Sequence, residues 1–189
     1  MTLPEFGLPS VIDEFTLSNS FLGNIVEVCF VTRDHQRTME GLVRLGVGPF
    51  RVYTFTPDSV DDQTYQEQAS PFGLKVCFAT NGNLTYEVME PLSGRTVMQD
   101  FLDAHGEGIH HVAFDCNGSP WEERVTFFAD RGFSQTQSGS WLGQNSFAFF
   151  GTEAATTTCF ETYHFPDGFV YPPPERWYPG PPPGINTES

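Results

Sequence analysis

The strand-forming runs of this chain come in one order, and that order occurs twice. Ile25 to Thr32 is a β-branched run. Asp34 then caps a helical pattern carried by Met39, Leu42, Val43 and Leu45, which Gly46 and Gly48-Pro49 stop. Phe50 to Thr56 reads as a second strand, and Leu74 to Thr80 with Leu84 to Glu90 as a hairpin about Asn81-Gly82-Asn83. A helix over Thr96 to His105 is stopped by Gly106 to Gly108, and the plan restarts. Ile109 to Cys116 is a strand, and Pro120 opens a helix that runs to Asp130 and ends at Gly132. Phe133 to Gln137, Trp141 to Gly151 and Thr156 to His164 supply three further strands. At a spacing of about 84 residues, Glu27-Val28-Cys29-Phe30 falls on His111-Val112-Ala113-Phe114, and Arg44-Leu45-Gly46 falls close to Asp130-Arg131-Gly132. Each half therefore reads strand, helix, strand, strand, strand, over about residues 24–105 and 106–165.

Three segments stand outside this plan. Residues 1–22 lack a clear period and read as an N-terminal arm. Pro57 to Pro71, rich in Asp, Gln and Ser, reads as a mobile loop. Residues 166–189 carry Pro172-Pro173-Pro174 and Pro181-Pro182-Pro183 among Tyr171, Trp177 and Tyr178. Proline blocks helix and ladder alike, so this tail is expected to run extended, with its aromatic rings tucked onto the body.

Charge narrows the partners. Acidic residues outnumber basic ones 24 to 9 and Lys75 is the single lysine, a surface that repels nucleic acid, anionic membrane and polyphosphate ligands. Cys29, Cys77, Cys116 and Cys159 sit singly inside apolar runs and read as small buried hydrophobes. The start of the chain lacks a basic stretch followed by an apolar core, and no apolar run is long enough to span a bilayer. The expectation is a cytoplasmic protein acting on a small-molecule substrate.

Alternation places the candidate site. In a strand only every second side chain shares a face, so matched positions of the two halves can meet across a pseudo-twofold. Glu27 and His111 match on the first strand of each half, and Glu87 and Glu161 on the last. Brought inside one curved sheet, these four groups require a cation or shared protons, because burying uncompensated carboxylates is costly. His110 should face away from His111 and cap or pack. His35 and His105 read as surface groups. Among the 19 phenylalanines, Phe50, Phe55, Phe78, Phe147, Phe149 and Phe160 lie in strand-like runs, most as core and some able to line a pocket for a flat or aromatic ligand.

The run Gly106-Glu107-Gly108-Ile109-His110-His111-Val112-Ala113-Phe114, with Glu87-Val88-Met89-Glu90-Pro91-Leu92 upstream and Glu161 downstream, resembles the vicinal oxygen chelate superfamily, especially its glyoxalase and methylmalonyl-CoA epimerase-like branch. The resemblance covers about residues 24–165. It implies an α+β domain over residues 23–165, in which paired βαβββ modules form a cupped, barrel-like mixed sheet with flanking helices. It implies a divalent metal in the cup, with ligand positions falling on Glu27, Glu87, His111 and Glu161, and a homodimer. Glu27 stands where that branch usually has histidine. Three carboxylates and one imidazole favour hard cations such as Mn²⁺ or Mg²⁺ over Zn²⁺, with Co and Fe also open. A metal-free site, in which crowded carboxylates share protons, is the other possibility.

The implied chemistry is that of an isomerase, epimerase or lyase moving a proton next to a carbonyl. Without metal, Glu87 and Glu161 form the acid/base pair and Glu27 and His111 complete the shell; with metal, His111, Glu87 and Glu161 are ligands and Glu27 is exchangeable. The single lysine and scattered arginines offer no phosphate clamp, which argues against coenzyme A thioesters and for a neutral or aromatic, polyketide-like metabolite of secondary metabolism. Two other classes remain: a metal-free protein that sequesters an aromatic ligand, and an Fe-dependent oxygenase, for which a two-histidine, one-carboxylate set is missing.

Overall fold

A computed structural model describes residues 21–184; most of the proposed N-terminal arm and the last five residues of the tail lie outside them. The elements are β1 (Ile25–Val31), α1 (His35–Arg44), β2 (Phe50–Phe55), β3 (Val60–Tyr65), β4 (Gln68–Ala69), β5 (Phe72–Asn81), β6 (Leu84–Gly94), α2 (Val97–His105), β7 (Gly108–Phe114), α3 (Trp121–Asp130), β8 (Gln135–Trp141), β9 (Asn145–Phe150), α4 (Glu153–Thr156), β10 (Cys159–His164) and β11 (Arg176–Tyr178). The fold is α+β, with one curled, half-barrel-like sheet of 11 strands.

The helix ends follow local chemistry. Asp34 accepts a hydrogen bond from the Arg37 backbone N–H at 3.0 Å, and Thr96 accepts one from that of Gln99 at 3.0 Å. Each satisfies an otherwise orphaned donor in the first helical turn. Gly106 follows α2 and Gly132 follows α3 with φ of 80° and 81°, a region a side chain would strain.

The sheet runs β11-β2-β5-β6-β1-β7-β10-β9-β8-β3-β4. β1 and β7, the first strands of the two halves, pair antiparallel at its centre. Each is flanked by the last strand of its own half in parallel, β6 beside β1 and β10 beside β7. This arrangement puts the positions matched by the internal repeat on four adjacent strands. Apolar packing divides into three parts. α1 covers the outer face of the first half through Met39 against Phe50, Val52 and Val88, and α3 covers that of the second through Phe128 against Phe150, rings stacked at 3.9 Å. The third core fills the inside of the curl, where Phe55 of β2 stacks on Trp141 of β8 at 4.9 Å and so joins strands far apart in the sheet order.

Pro57 to Pro71 is not a loop. β3 within it crosses to the second half and pairs with β8, extending that edge, while β4 pairs back on β3. Val60, Gln63 and Tyr65 are buried, and Gln63 exchanges hydrogen bonds with the backbone of Phe72 at 2.9 and 3.0 Å. A ladder irregularity between Asp61 and Thr64, with Asp62 at φ 51°, breaks the alternation that would have betrayed the strand. In the second half Trp141 ends β8 rather than opening a strand, and the chain turns at Leu142 and Gly143, both with positive φ, before β9. Gln135 to Ser140 is polar and Gly-containing, so its strand character comes from pairing on both sides, not from an apolar period. In the described tail, Arg176–Tyr178 forms a ladder on β2, and no proline falls within those three residues to block it.

The β3–β8 contact makes a measurable claim. A Cβ added at Gly139 would lie 2.7 Å from Cγ1 of Val60 and 2.8 Å from Cζ of Phe147. Gly139→Ala is expected to lower stability by about 1–3 kcal/mol through overpacking, read as a lower urea midpoint at unchanged slope. A neutral or stabilising result would mean that β3 does not pack there.

Candidate active site

The four central strands bring Glu27, Glu87, His111 and Glu161 together. Their ligand atoms all lie within 4.8 Å of one another, and each residue is at most 4 % exposed. Register explains the convergence. Cys29 on β1 sits between Glu87 on β6 and His111 on β7, while Ala113 on β7 sits between Glu27 on β1 and Glu161 on β10. Cys29 and Ala113 are fully buried, and such small side chains leave room for the larger groups around them.

His111 is the hub. Its Nε2 lies 3.2 Å from Glu87 Oε2 and 3.1 Å from Glu161 Oε2. One ring nitrogen cannot direct its single proton at both oxygens. Hydrogen-bond geometry is met toward Glu87, and Glu161 Oε2 is left buried without a hydrogen-bond partner. Burial pushes the Glu27 carboxyl well above the usual carboxylate range, and the neighbouring Glu87 and Glu161 push it further. Burial raises Glu87 as well, against the opposing pull of the His111 hydrogen bond. For His111 burial acts downward, but the attraction of Glu161 and Glu87 outweighs it and raises the imidazolium to about 9.

His110 departs from the expected outward position. The β1–β7 ladder steps from Cys29↔His111 to Phe30↔Ile109, so His110 is an extra residue at a bulge. The bulge carries its Nδ1 to 2.8 Å from Nδ1 of His111, and its ring packs on Phe101 of α2 at 5.0 Å. Burial, then the His111 charge, hold the His110 imidazolium down to about 2, so His110 is neutral and its Nδ1 accepts the His111 Nδ1–H. That bond leaves His111 Nε2 facing the carboxylates, and Phe149 braces the ring edge-on at 4.8 Å. Sequence reading missed His110 because a bulge is invisible to a period of two. It also missed Cys29, although the spacing from Glu27 puts both on one face; burial and the Glu87 charge keep the Cys29 thiol protonated.

Glu107 in the glycine-flanked turn before β7 has a mechanical role. Its carboxylate takes hydrogen bonds from the Arg37 guanidinium at 2.6 Å, the Arg33 backbone N–H at 2.8 Å and the Thr32 hydroxyl at 2.8 Å, which hold its pKa down to about 2. The start of β7 is thereby tied to the end of β1 and to α1. His35 is not a free surface group, since its Nδ1 lies 2.7 Å from Glu90 Oε2 in a half-buried pair. His105 is exposed, as expected.

Above the carboxylates lies a cavity with about 40 Å³ of space for water-sized groups, opening to solvent at its mouth. Thr85 and Asn145 contribute polar groups, and Phe55, Phe78 and Phe147 form apolar walls. Phe50 and Phe160 instead belong to the outer cores. Tyr163 follows Glu161 by two residues and faces the same cavity; burial raises its phenol, which stays neutral.

Residues 27–150 match the sequence family described as the Glyoxalase/Bleomycin resistance protein/Dioxygenase superfamily. A protein of Bacillus subtilis, YqjC, is 36% identical over 53 residues, 28% of this chain and 38% of its own length, so the match spans well under half of that relative. Among solved structures, the Bacillus halodurans protein BH1468 is 17% identical with a TM-score of 0.57 over 78% of this chain and 98% of its own. Methylmalonyl-CoA epimerase from Mycobacterium tuberculosis is 16% identical, again with a TM-score of 0.57, over 79% of this chain and 92% of its own. At such identities the structural likeness is one of fold.

The electrostatics predict a titration. In ion-free protein the His111 imidazolium should persist through neutrality and be lost near pH 9, followed by ¹⁵N NMR of the ring. Its folded pKa lies above the ordinary value of 6.5, so its contribution to stability is complete below pH 6.5 and fades as pH rises through about 9. Titration of His111 near 6.5 would contradict the hub geometry.

Proposed function

Because this chain belongs to the Glyoxalase/Bleomycin resistance protein/Dioxygenase superfamily, we propose that it is an enzyme that moves a proton next to the carbonyl of a small molecule, as an isomerase, epimerase or lyase. The observation that carries this reading is a buried Glu161 oxygen that accepts no hydrogen bond, beside two other buried carboxylates and an oriented imidazole. Such a cluster is costly unless it binds a cation or holds protons.

The donor set fits a divalent ion. The mutual separations, all within 4.8 Å, are close to twice an ordinary metal–ligand distance of about 2.1 Å, and Glu161 Oε2, ion-paired with His111, accepts no hydrogen bond. His111 Nε2, Glu87 and Glu161 would hold it, with Glu27 exchangeable; three carboxylates make Mn²⁺ or Mg²⁺ a better match than Zn²⁺. Bound there, a divalent ion would supply positive charge to the enolate oxygen that proton removal creates.

This chain's own residues account for the rest. A cluster carboxylate takes the proton on the carbon next to the carbonyl, and the electron pair moves onto the carbonyl oxygen. Glu27, pushed well above the carboxylate range, is suited to hold a proton at neutral pH and to return it to carbon. Return on the opposite face gives epimerisation, return at a neighbouring atom gives isomerisation, and loss of a β-substituent gives a lyase. Without an ion, Glu87 and Glu161 serve as acid and base and the His111 imidazolium faces the developing charge. The apolar walls keep that charge from being dispersed by water.

A second reading, a protein that sequesters an aromatic ligand, is favoured by the same aromatic walls and differs in lacking turnover. An Fe-dependent oxygenase is disfavoured by the donor set, because His110 is committed to His111 Nδ1 and does not join it in a two-histidine, one-carboxylate triad.

Elemental analysis of the purified protein, together with deuterium exchange at the carbon next to the carbonyl of candidate substrates, tests the proposal. Glu87→Gln and His111→Ala should each slow exchange by about 10²-fold or more. Exchange retained in both variants would remove the cluster from the mechanism.

A further inference from the structure

The chain between β10 and β11 does not leave the domain after its last matched strand. It turns at Pro166–Phe169, where the Phe169 N–H donates to the Pro166 carbonyl at 3.0 Å and Gly168 takes φ 75°. The far end of this strap is fastened to the other half of the sheet. The Tyr53 hydroxyl donates to the Pro172 carbonyl at 2.9 Å, the Glu175 N–H donates to the Val52 carbonyl at 3.0 Å, and Lys75 pairs with Glu175 at 2.8 Å before β11 joins β2. The strap therefore starts on β10 of the second half and ends on β2 of the first.

Between these anchors its rings become part of the cavity. Phe165 and Tyr171 line the same space as Glu27, Glu87 and Glu161, and Phe169 packs against both at 4.7 and 5.2 Å. Tyr171 also meets Phe78 of β5 at 6.5 Å and Trp141 of β8 at 6.2 Å, rings from the two halves. The basic side chains that touch this region are already engaged. Arg51 lies over the rings of Tyr171 and Trp177 at 4.8 and 4.9 Å, and Lys75 is held by Glu175. Among the described residues, the two cations that touch this region are thus occupied by aromatic rings and a carboxylate rather than presented as a phosphate clamp.

We propose that the strap is a specificity element, with Tyr171 as its principal contact, that restricts the cup to a small, uncharged, planar aryl or conjugated carbonyl compound and excludes coenzyme A thioesters. This rests on the proton-transfer reading for what happens at the cup floor, and names the class of molecule admitted to it. The strap lies outside residues 27–150, the segment that matches the superfamily. A ring seated among Phe78, Phe165 and Tyr171 gains stacking and edge contacts that an aliphatic acyl chain does not. An anionic pantetheine nucleotide would meet an aromatic wall on a chain of net charge −15.

Calorimetric titration of the full chain with acetophenone, 2-acetylnaphthalene and propionyl-CoA tests this directly. Saturable binding of at least one neutral aryl ketone and none of propionyl-CoA is expected. Tyr171→Ala should weaken ketone binding tenfold or more, Tyr171→Phe should stay within about threefold because it keeps the ring, and Val170→Ala at the exposed apex should have no effect. Should Tyr171→Ala not fold, Phe165→Leu, which keeps apolar volume but loses the ring, makes the same comparison. Propionyl-CoA binding as tightly as the ketones, no ketone binding, or ketone affinity unchanged in the folded ring-deleting variant would each overturn the proposal. Deuterium exchange into bound ketone separates the two readings: tight, Tyr171-dependent binding without exchange removes the reaction and leaves the strap, and exchange with affinity indifferent to Tyr171 does the reverse.

Discussion

Three carboxylates and an imidazole held out of water within a few ångströms of one another set the terms for everything else here. Like charges at that separation cannot all ionise in a low-dielectric pocket, so the cluster either takes protons or takes a cation. The surrounding structure serves that tension. Small residues, Cys29 and Ala113, occupy the positions between the large groups, so the four strands can approach without the side chains colliding. The antiparallel pairing of β1 with β7 is the geometric origin of the site, because it is the seam across which the two halves of the repeat face each other.

Rigidity at that seam has identifiable sources. The Glu107 carboxylate ties the entry of β7 to β1 and α1 through Arg37, Arg33 and Thr32. The bulge at His110 supplies an acceptor for the His111 Nδ1–H, and this leaves Nε2 directed at the carboxylates. Orientation of an imidazole by a partner on its other nitrogen is a general device for presenting a ligand or acid at one defined point. Outside the seam, β3 extends the far edge of the second half and the strap joins that half to β2. The cup is therefore tied across its two halves by segments that belong to neither copy of the repeat.

Much of this was legible from residue types alone. Period-two alternation and the repeat placed Glu27, Glu87, His111 and Glu161 on matched positions, and the structure brings all four together. The cap at Asp34 and the glycine stops are local chemistry and read directly, whereas Thr96, read as the first helical residue, is the cap of α2. What escaped was non-local. β3 is polar and irregular, and becomes a strand because β8 offers a free edge. The contact between His110 and His111 depends on a bulge whose partner strand is some 80 residues away in the chain, and Tyr171 reaches the cavity only because the tail folds back. Of the phenylalanines considered, composition could not sort Phe55, Phe78 and Phe147, which line the cavity, from Phe50 and Phe160, which pack outside it.

The sequence by itself determined the α+β plan, the duplication and the identity of the four ionisable groups, because those follow from the backbone period and from short-range turn and cap chemistry. Tertiary structure alone decided which of those groups has an oxygen that accepts no hydrogen bond, how His111 is oriented, and what walls the cavity. These depend on distances between segments far apart in the chain, and hydrogen-bond direction and desolvation are set by such distances.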